Sequence, residues 1–244
     1  MIAIRNLDFL KTRIIAHRGY HDKKYPENSI SAFKKSIRYG YNIELDVHLT
    51  KDEKLVVFHD NNLKRMCKID KCIEDLTYDE LLKYNLLDTK YKIPLLSEVL
   101  SLINGQVGLL IETKVIKFNG KLEEKLSDML DNYNGDFAVQ SFNPLTISWF
   151  KKNRKNYLRG ILLSDFNKHN ISNLKKWILK TLILDIFLKV DFIGYDLRAL
   201  PSKYIENKRK LKPVFTWTIR TKQDYEKAVM YSDNIIAENM HDYL

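Results

Sequence analysis

The chain has 244 residues, 45% of them hydrophobic and 11% aromatic, with 41 Lys and Arg against 31 Asp and Glu for a net charge of +10. That length and apolar content suit one large folded domain and exclude a disordered chain. No run reaches the roughly 18 uncharged apolar residues of a membrane span and no apolar stretch of a signal peptide opens the sequence, while the positive charge favours anionic partners such as phosphoesters, nucleic acid or acidic lipid without choosing among them.

In chain order, residues 13–17 read as a short apolar strand ending at His17-Arg18-Gly19. A polar loop through Pro26, Glu27, Asn28 and Ser29 follows. Asn28 or Ser29 can cap a helix whose apolar face is Ile30, Phe33 and Ile37, closed by Gly40. Glu27 and Asn28 are read as groups that order this loop. Residues 43–49 and 55–59 are apolar-rich runs joined by Lys51-Asp52-Glu53-Lys54. So short a link cannot cross over to a parallel neighbour, so the runs pair as an antiparallel hairpin. A turn centred on Asp52-Glu53 makes paired residues sum to 105 and sets His59 opposite Asp46. Glu44 and Asp46 are two apart and project from one face of their strand. Adjacent carboxylates need a cation or a proton to hold them together, the pattern of a hard-metal site with an acid–base histidine beside it. His48 shares the Asp46 face by alternation and is read as rim or hairpin surface.

Residues 61–93 carry charge and scattered apolar side chains without a period-2 strand, and read as a small helical excursion. Cys67 and Cys72 form a lone C-x4-C pair, a poor zinc signature, and are read as inert free thiols in a reducing cytosol. From there the chain alternates. A helix at 97–103 leads to a strand at 107–114, and a helix at 121–130 leads to a strand at 137–142. A helix begun by Pro144 precedes the strand at 158–164, and a long helix at 171–189 precedes the one at 192–197. A helix at 201–208 leads to 213–219, and a helix capped by Thr221 leads to 234–238. Setting aside the return run of the hairpin, eight strands are separated by helices, which implies parallel strands and an α/β fold of the closed (β/α)8 TIM-barrel type. No Gly-rich phosphate fingerprint follows the first strand, which argues against an open doubly wound sheet.

Barrel sites lie at the carboxyl ends of the strands. Those ends carry His17 and Arg18, Glu44 and Asp46, Glu112 and Lys114, Ser141 and Phe142, Trp217 and Thr218, and Glu238. Such a set suits phosphodiester cleavage. Glu44, Asp46 and Glu112 offer oxygen ligands for Mg2+ or Ca2+. Arg18 and Lys114 would neutralise the nonbridging phosphoryl oxygens. His17 and His59 can act as base and acid on opposite sides of the phosphorus. Phe142 and Trp217 would wall the organic part of the ester.

The segments HRG at 17–19, PENS at 26–29, ELDVHLTKDEKLVVFHD at 44–60, ETK at 112–114, SF at 141–142 and WT at 217–218 resemble, in that order, the glycerophosphodiester phosphodiesterase family. The resemblance implies a single (β/α)8 barrel domain over 1–244 with a small subdomain inserted after the hairpin, about 61–93. It implies divalent-metal-dependent hydrolysis of glycerophosphodiesters to glycerol 3-phosphate and an alcohol. It implies His17 and His59 as the acid–base pair, Glu44, Asp46 and Glu112 as metal ligands, and Arg18 and Lys114 as phosphate contacts. A family-like route runs through a cyclic phosphate formed by the substrate's neighbouring glycerol hydroxyl, with His17 taken as base and His59 as acid. Two positions depart from the family pattern. WTIR carries Arg220 where Asn is usual, and the last strand ends in Ala237-Glu238 where Thr-Asp is usual. Both bear on substrate preference and not on the metal or acid–base positions.

The reading is a cytoplasmic enzyme with a small glycerophosphodiester substrate. One alternative is a lysophospholipase D-like barrel acting on lysophospholipids. A second is a non-catalytic basic binding protein, although nothing in the chain supplies a reader helix or stacking sheet and no nucleic acid is expected. The helix at 171–189 is apolar over more of its circumference than the stripe of about 100° that a surface helix buries. A neighbouring loop, a second copy of the chain in a homodimer, or the interfacial zone of a membrane would cover it, with Lys175, Lys176, Lys180 and Lys189 suited to anionic headgroups.

Overall fold

The computed structural model describes residues 6–164 and 187–243. Two compact units divide the chain, Ile15–Phe137 and the combination of Met1–Ile14 with Ala138–Leu244. Helix α1 (Asp8–Thr12) belongs to the second of these.

In the Ile15–Phe137 unit, β1 (Ile15–Ala16) lies parallel to β2 (Asn42–Leu49), which lies parallel to β4 (Leu109–Thr113). All of β1 and β4 and all but the last residue of β2 are buried, which is why these strands read as apolar runs, bounded by Asn42 and Thr113 and interrupted by Glu44, Asp46, His48 and Glu112. Between β1 and β2 runs α2 (Ile30–Tyr39), capped by Ser29, whose hydroxyl accepts from the Ala32 N–H at 3.2 Å, and closed by Gly40 at φ 69°. Its buried side chains are Ser31, Ala32, Phe33 and Ser36, whereas Ile30 and Ile37 are only half-buried. The face is turned from the expected one because the backbone at Gly19 packs directly on the helix. A Cβ there would lie 2.9 Å from the Phe33 ring and 3.0 Å from the Ala32 methyl. Ser36 Oγ accepts from the Tyr20 N–H at 2.7 Å. So close an approach selects small residues over branched ones.

The hairpin pairs β2 with antiparallel β3 (Leu55–Val57), but its partners sum to 104, as in Val47 with Val57 and Leu49 with Leu55. The cause is a three-residue loop, Lys51-Asp52-Glu53, closed by the Thr50 N–H donating to Lys54 O at 2.9 Å, with Glu53 in the left-handed region at φ 59°. Asp46 therefore faces Phe58, whose N–H donates to its carbonyl at 2.9 Å, and the expected pairing of Asp46 with His59 is one residue out. His59 lies past the end of β3.

Beyond the hairpin come α3 (Lys64–Cys67), α4 (Tyr78–Leu81) with a Thr77–Glu80 capping box, α5 (Leu96–Ile103) and α6 (Lys121–Leu130). Leu63, Met66, Ile73, Leu76, Leu81, Leu86 and Ile93 form one apolar cluster with Val56 and Phe58. The scattered apolar residues of 61–93 thus share a small core laid against β3.

In the second unit, β5 (Phe137–Ser141), β6 (Leu158–Leu163), β7 (Phe192–Asp196), β8 (Val214–Ile219) and β9 (Asn234–Ala237) pair in chain order, all parallel. Helix α7 (Pro144–Asn153) lies between β5 and β6, α8 (Lys203–Arg209) between β7 and β8, and α9 (Lys222–Tyr231) between β8 and β9. Asn143, Ser202 and Thr221 cap these helices through their side chains. Three parallel strands in one unit and five in the other, alternating with helices, make this an α/β chain of the (β/α)8 barrel class, with β3 as an additional antiparallel strand.

The helix expected at 171–189, and with it the homodimer or membrane surface expected there, lies outside the described residues apart from 187–189. No helix of the described residues is long and apolar enough to cross a membrane.

Candidate active site

Strand alternation brings Glu44 and Asp46 to one face of β2, and the register of β2 with β4 sets Glu112 directly beside Asp46. One carboxylate oxygen from each of the three lies within 4.8 Å of the others, and all three residues are buried. Burial above all, then Asp46 and Glu112, pushes the Glu44 carboxyl well above its ordinary range. Burial also raises Glu112, against the pull of Lys114. At Asp46 burial acts upward but is outweighed by Lys114 and Arg18, which hold the carboxyl well below the usual range. Lys114 Nζ stands 3.0 Å from Asp46 Oδ1 and also bonds Glu112. Arg18 Nε stands 3.5 Å from Asp46 Oδ2. The crowding that raises Glu44 and Glu112 is what a further positive charge would relieve, and an all-oxygen donor set fits a hard cation.

The HRG turn supplies the next layer. Arg18 and Gly19 both adopt left-handed backbone, φ 56° and 79°. The turn aims the Arg18 N–H at Glu44 Oε2, 3.0 Å away, and His17 Nε2 lies 4.0 Å from the same oxygen. Arg18 Nη1 donates to Glu27 Oε1 at 2.7 Å. Asn28, at φ 54°, donates from Nδ2 to Asp46 Oδ2 at 2.8 Å, and its N–H donates to Arg18 O at 2.9 Å. Asn28 is therefore a direct partner of a metal-ligand candidate, and Ser29 takes the helix cap.

His59 is held at two points. Its Nδ1 lies 2.6 Å from Asp60 Oδ1. Its carbonyl accepts from His48 Nε2 at 3.2 Å. His48 is wholly buried, contrary to its expected surface position. Burial lowers its pKa to about 4, so the ring is neutral and available as a donor. Burial lowers His59 as well, with Asp46 pulling the other way.

The structure thus gathers His17, Arg18, Glu44, Asp46, Glu112 and Lys114 into one network, with His59 within electrostatic reach of Asp46. Phe142 and Trp217 belong to the other unit, where their rings meet edge-to-face at 5.6 Å. The two departures from the family pattern are one feature there. Arg220 Nε and Nη2 donate to the Glu238 carboxylate at 2.8 and 3.2 Å. Cys67 and Cys72 are free, and burial raises the Cys67 thiol to about 11, which leaves little thiolate at neutral pH. No role for Asp60 or Arg65 is legible in the sequence, and those of Asn28 and His48 are legible only in part. The parity of His48 with Asp46 was the available signal for one of them. Arg65 had none nearby.

Residues 17–240 match the model of the glycerophosphoryl diester phosphodiesterase family. A glycerophosphodiester phosphodiesterase of Caldanaerobacter subterraneus subsp. tengcongensis is 30% identical over 243 residues, covering 94% of this chain and 95% of its own. The crystal structure of a glycerophosphodiester phosphodiesterase from Thermotoga maritima superimposes with a TM-score of 0.72 at 26% identity, over 92% of this chain and 93% of that one. A phosphodiesterase of Oleispira antarctica, solved with the product sn-glycerol-3-phosphate, gives a TM-score of 0.78 over 93% of each chain. At 20% identity that last likeness speaks for the fold alone.

Proposed function

Since this chain belongs to the glycerophosphoryl diester phosphodiesterase family and is a phosphodiesterase, we propose that it cleaves small glycerophosphodiesters to glycerol 3-phosphate and an alcohol, with His17 and His59 as base and acid. The observation that carries the reading is the buried carboxylate triad within 4.8 Å, flanked by Arg18, Lys114 and His17.

Glu44, Asp46 and Glu112 would hold Mg2+ or Ca2+, which when bound withdraws charge from the phosphoryl oxygens. Arg18 and Lys114 would neutralise further charge on those oxygens. His17 takes the proton from the neighbouring glycerol hydroxyl as that oxygen bonds to phosphorus. His59 gives a proton to the departing alcohol oxygen as its bond to phosphorus breaks. The cyclic phosphate then opens to water with the two histidines exchanging roles, which restores both. Phe142 and Trp217 would contact the organic part of the ester. Two free thiols suit a reducing compartment, and we place the enzyme in the cytoplasm.

The test is turnover of a panel of glycerophosphodiesters with added Mg2+ or Ca2+ and with chelator. Metal-dependent release of glycerol 3-phosphate is expected. Full turnover in chelator would remove the metal assignment. Normal turnover of a diester lacking the neighbouring hydroxyl would exclude the cyclic route. Faster cleavage of a lysophospholipid than of its deacylated counterpart would move the substrate to that class.

A further inference from the structure

We infer that Arg65, contributed by the 61–93 excursion, is a positioning residue for His59, which it reaches through Asp60. The inference rests on the acid–base assignment above. The guanidinium engages two acids at once. Nη1 and Nη2 donate to Glu27 Oε2 and Oε1, each at 2.7 Å. Nε and Nη2 donate to Asp60 Oδ2 at 2.7 Å and Oδ1 at 3.1 Å. Each of those acids also holds a group of the site. Glu27 Oε1 accepts from Arg18 Nη1 at 2.7 Å, and Asp60 Oδ1 lies 2.6 Å from His59 Nδ1. A line of alternating charge, Arg18–Glu27–Arg65–Asp60–His59, therefore joins the phosphate-neutralising cation to the acid histidine.

Only a planar fork with several fixed donors can grip two carboxylates in this way; a lysine ammonium reaches them as a point charge. Arg65 lies on α3, which is anchored through its buried neighbour Met66 in the apolar cluster around Phe58. With Asp60 held, the His59 Nδ1–H has a fixed acceptor, and Nε2 is left to exchange the proton with substrate. The Arg65 side chain is 47% exposed, and without it Glu27 still has Arg18 at 2.7 Å, so removing the guanidinium leaves no buried carboxylate without a cation. Its effect falls on geometry. A misplacement of about 1 Å in a catalytic group costs on the order of a hundredfold in rate.

The experiment compares the full-length enzyme with Arg65→Ala and Arg65→Lys on two glycerophosphodiesters, one with an alkyl alcohol and one with nitrophenol as leaving group. Nitrophenolate departs without a proton, so loss of a well-held acid should tell mainly on the alkyl ester. Arg65→Ala is expected to lower kcat on the alkyl ester by about a hundredfold with KM and metal half-saturation nearly unchanged, and to lower it far less on the nitrophenyl ester. Added guanidinium at a non-denaturing concentration should restore part of the loss, and Arg65→Lys should recover only part of the wild-type rate. Melting temperatures taken in parallel should barely move. A kcat for Arg65→Ala within about threefold of wild type on the alkyl ester would overturn the inference. So would equal losses on both esters accompanied by a lower melting temperature, which is the signature of a structural role. If Arg65→Ala does not fold, the leaving-group comparison with Arg65→Lys decides the matter. Failure of the wild-type enzyme to cleave either ester would instead defeat the phosphodiesterase reading, so the two failures are distinguishable.

Discussion

Replacing Lys114 by methionine would test the electrostatic logic of the site most directly, because it removes one charge and leaves a chain of similar length. Lys114 Nζ is 3.0 Å from Asp46 Oδ1 and also bonds Glu112, and its side chain is 13% exposed. At an effective dielectric of about 20, unit charges at that separation attract by about 5–6 kcal/mol. Part of this is offset by desolvation, and removing one partner of a buried pair costs about 3–5 kcal/mol, because the charge left behind has no water to turn to. For a chain of this length each kcal/mol moves the melting temperature by about 2–4 °C. Lys114→Met should therefore melt about 6–20 °C below wild type in chelator. Calorimetry in chelator and with Mg2+ or Ca2+ is the assay. The deficit should narrow with the ion, since a divalent charge on the same carboxylates replaces the lost one. Turnover should fall by about two to three orders of magnitude even in excess metal, because the phosphoryl oxygens lose a fixed cation. A variant that melts with the wild type in chelator would refute the account of a carboxylate cluster held together by Lys114.

Glu44→Gln and Glu112→Gln should each abolish metal-dependent activity while circular dichroism stays native, and titration calorimetry with Mg2+ and Ca2+ should show the loss of binding directly. His17→Ala and His59→Ala should each lower kcat by about two to four orders of magnitude, read in steady-state assays with saturating metal. Alkylation of Cys67 should be slow at pH 8 and rise steadily towards pH 11, because a thiol whose pKa is raised to about 11 stays protonated through neutrality. Mass spectrometry of the alkylated protein at several pH values reads this, and rapid labelling at pH 8 would contradict it.

The strand alternation and the residues at strand ends were legible in the sequence because burial writes itself as apolar runs, and Glu44, Asp46 and Glu112 interrupt those runs conspicuously. The hairpin register was not. It turns on one left-handed residue, Glu53, and non-glycine residues rarely announce that conformation. The same holds for Arg18 and Asn28, whose positive φ angles bring a backbone N–H to Glu44 and a side-chain amide to Asp46. Arg65 meets Glu27 across 38 residues of sequence, a contact that no local pattern encodes. For the helix face around Phe33 hydropathy favours Ile30 and Ile37, whereas the close approach of Gly19 rewards Ala32 and Ser36.

The hairpin loop carries a consequence for how this sequence can drift. Glu53 bonds Lys121 at 2.7 Å and stands 3.1 Å from Lys125, so its side chain is tied to α6 although these exposed pairs contribute little individually. Its backbone fixes the count of three residues between Thr50 and Lys54, and that count fixes which residue of the return run meets Asp46. Side chains alternate with a period of two, so deleting one loop residue would exchange the two faces of β3 and turn Phe58 out of its cluster. Substitutions at Lys51, Asp52 and even Glu53 can accumulate over generations, whereas a single-codon deletion there would be purged. Descendants of this chain should vary in the composition of the loop and be invariant in its length.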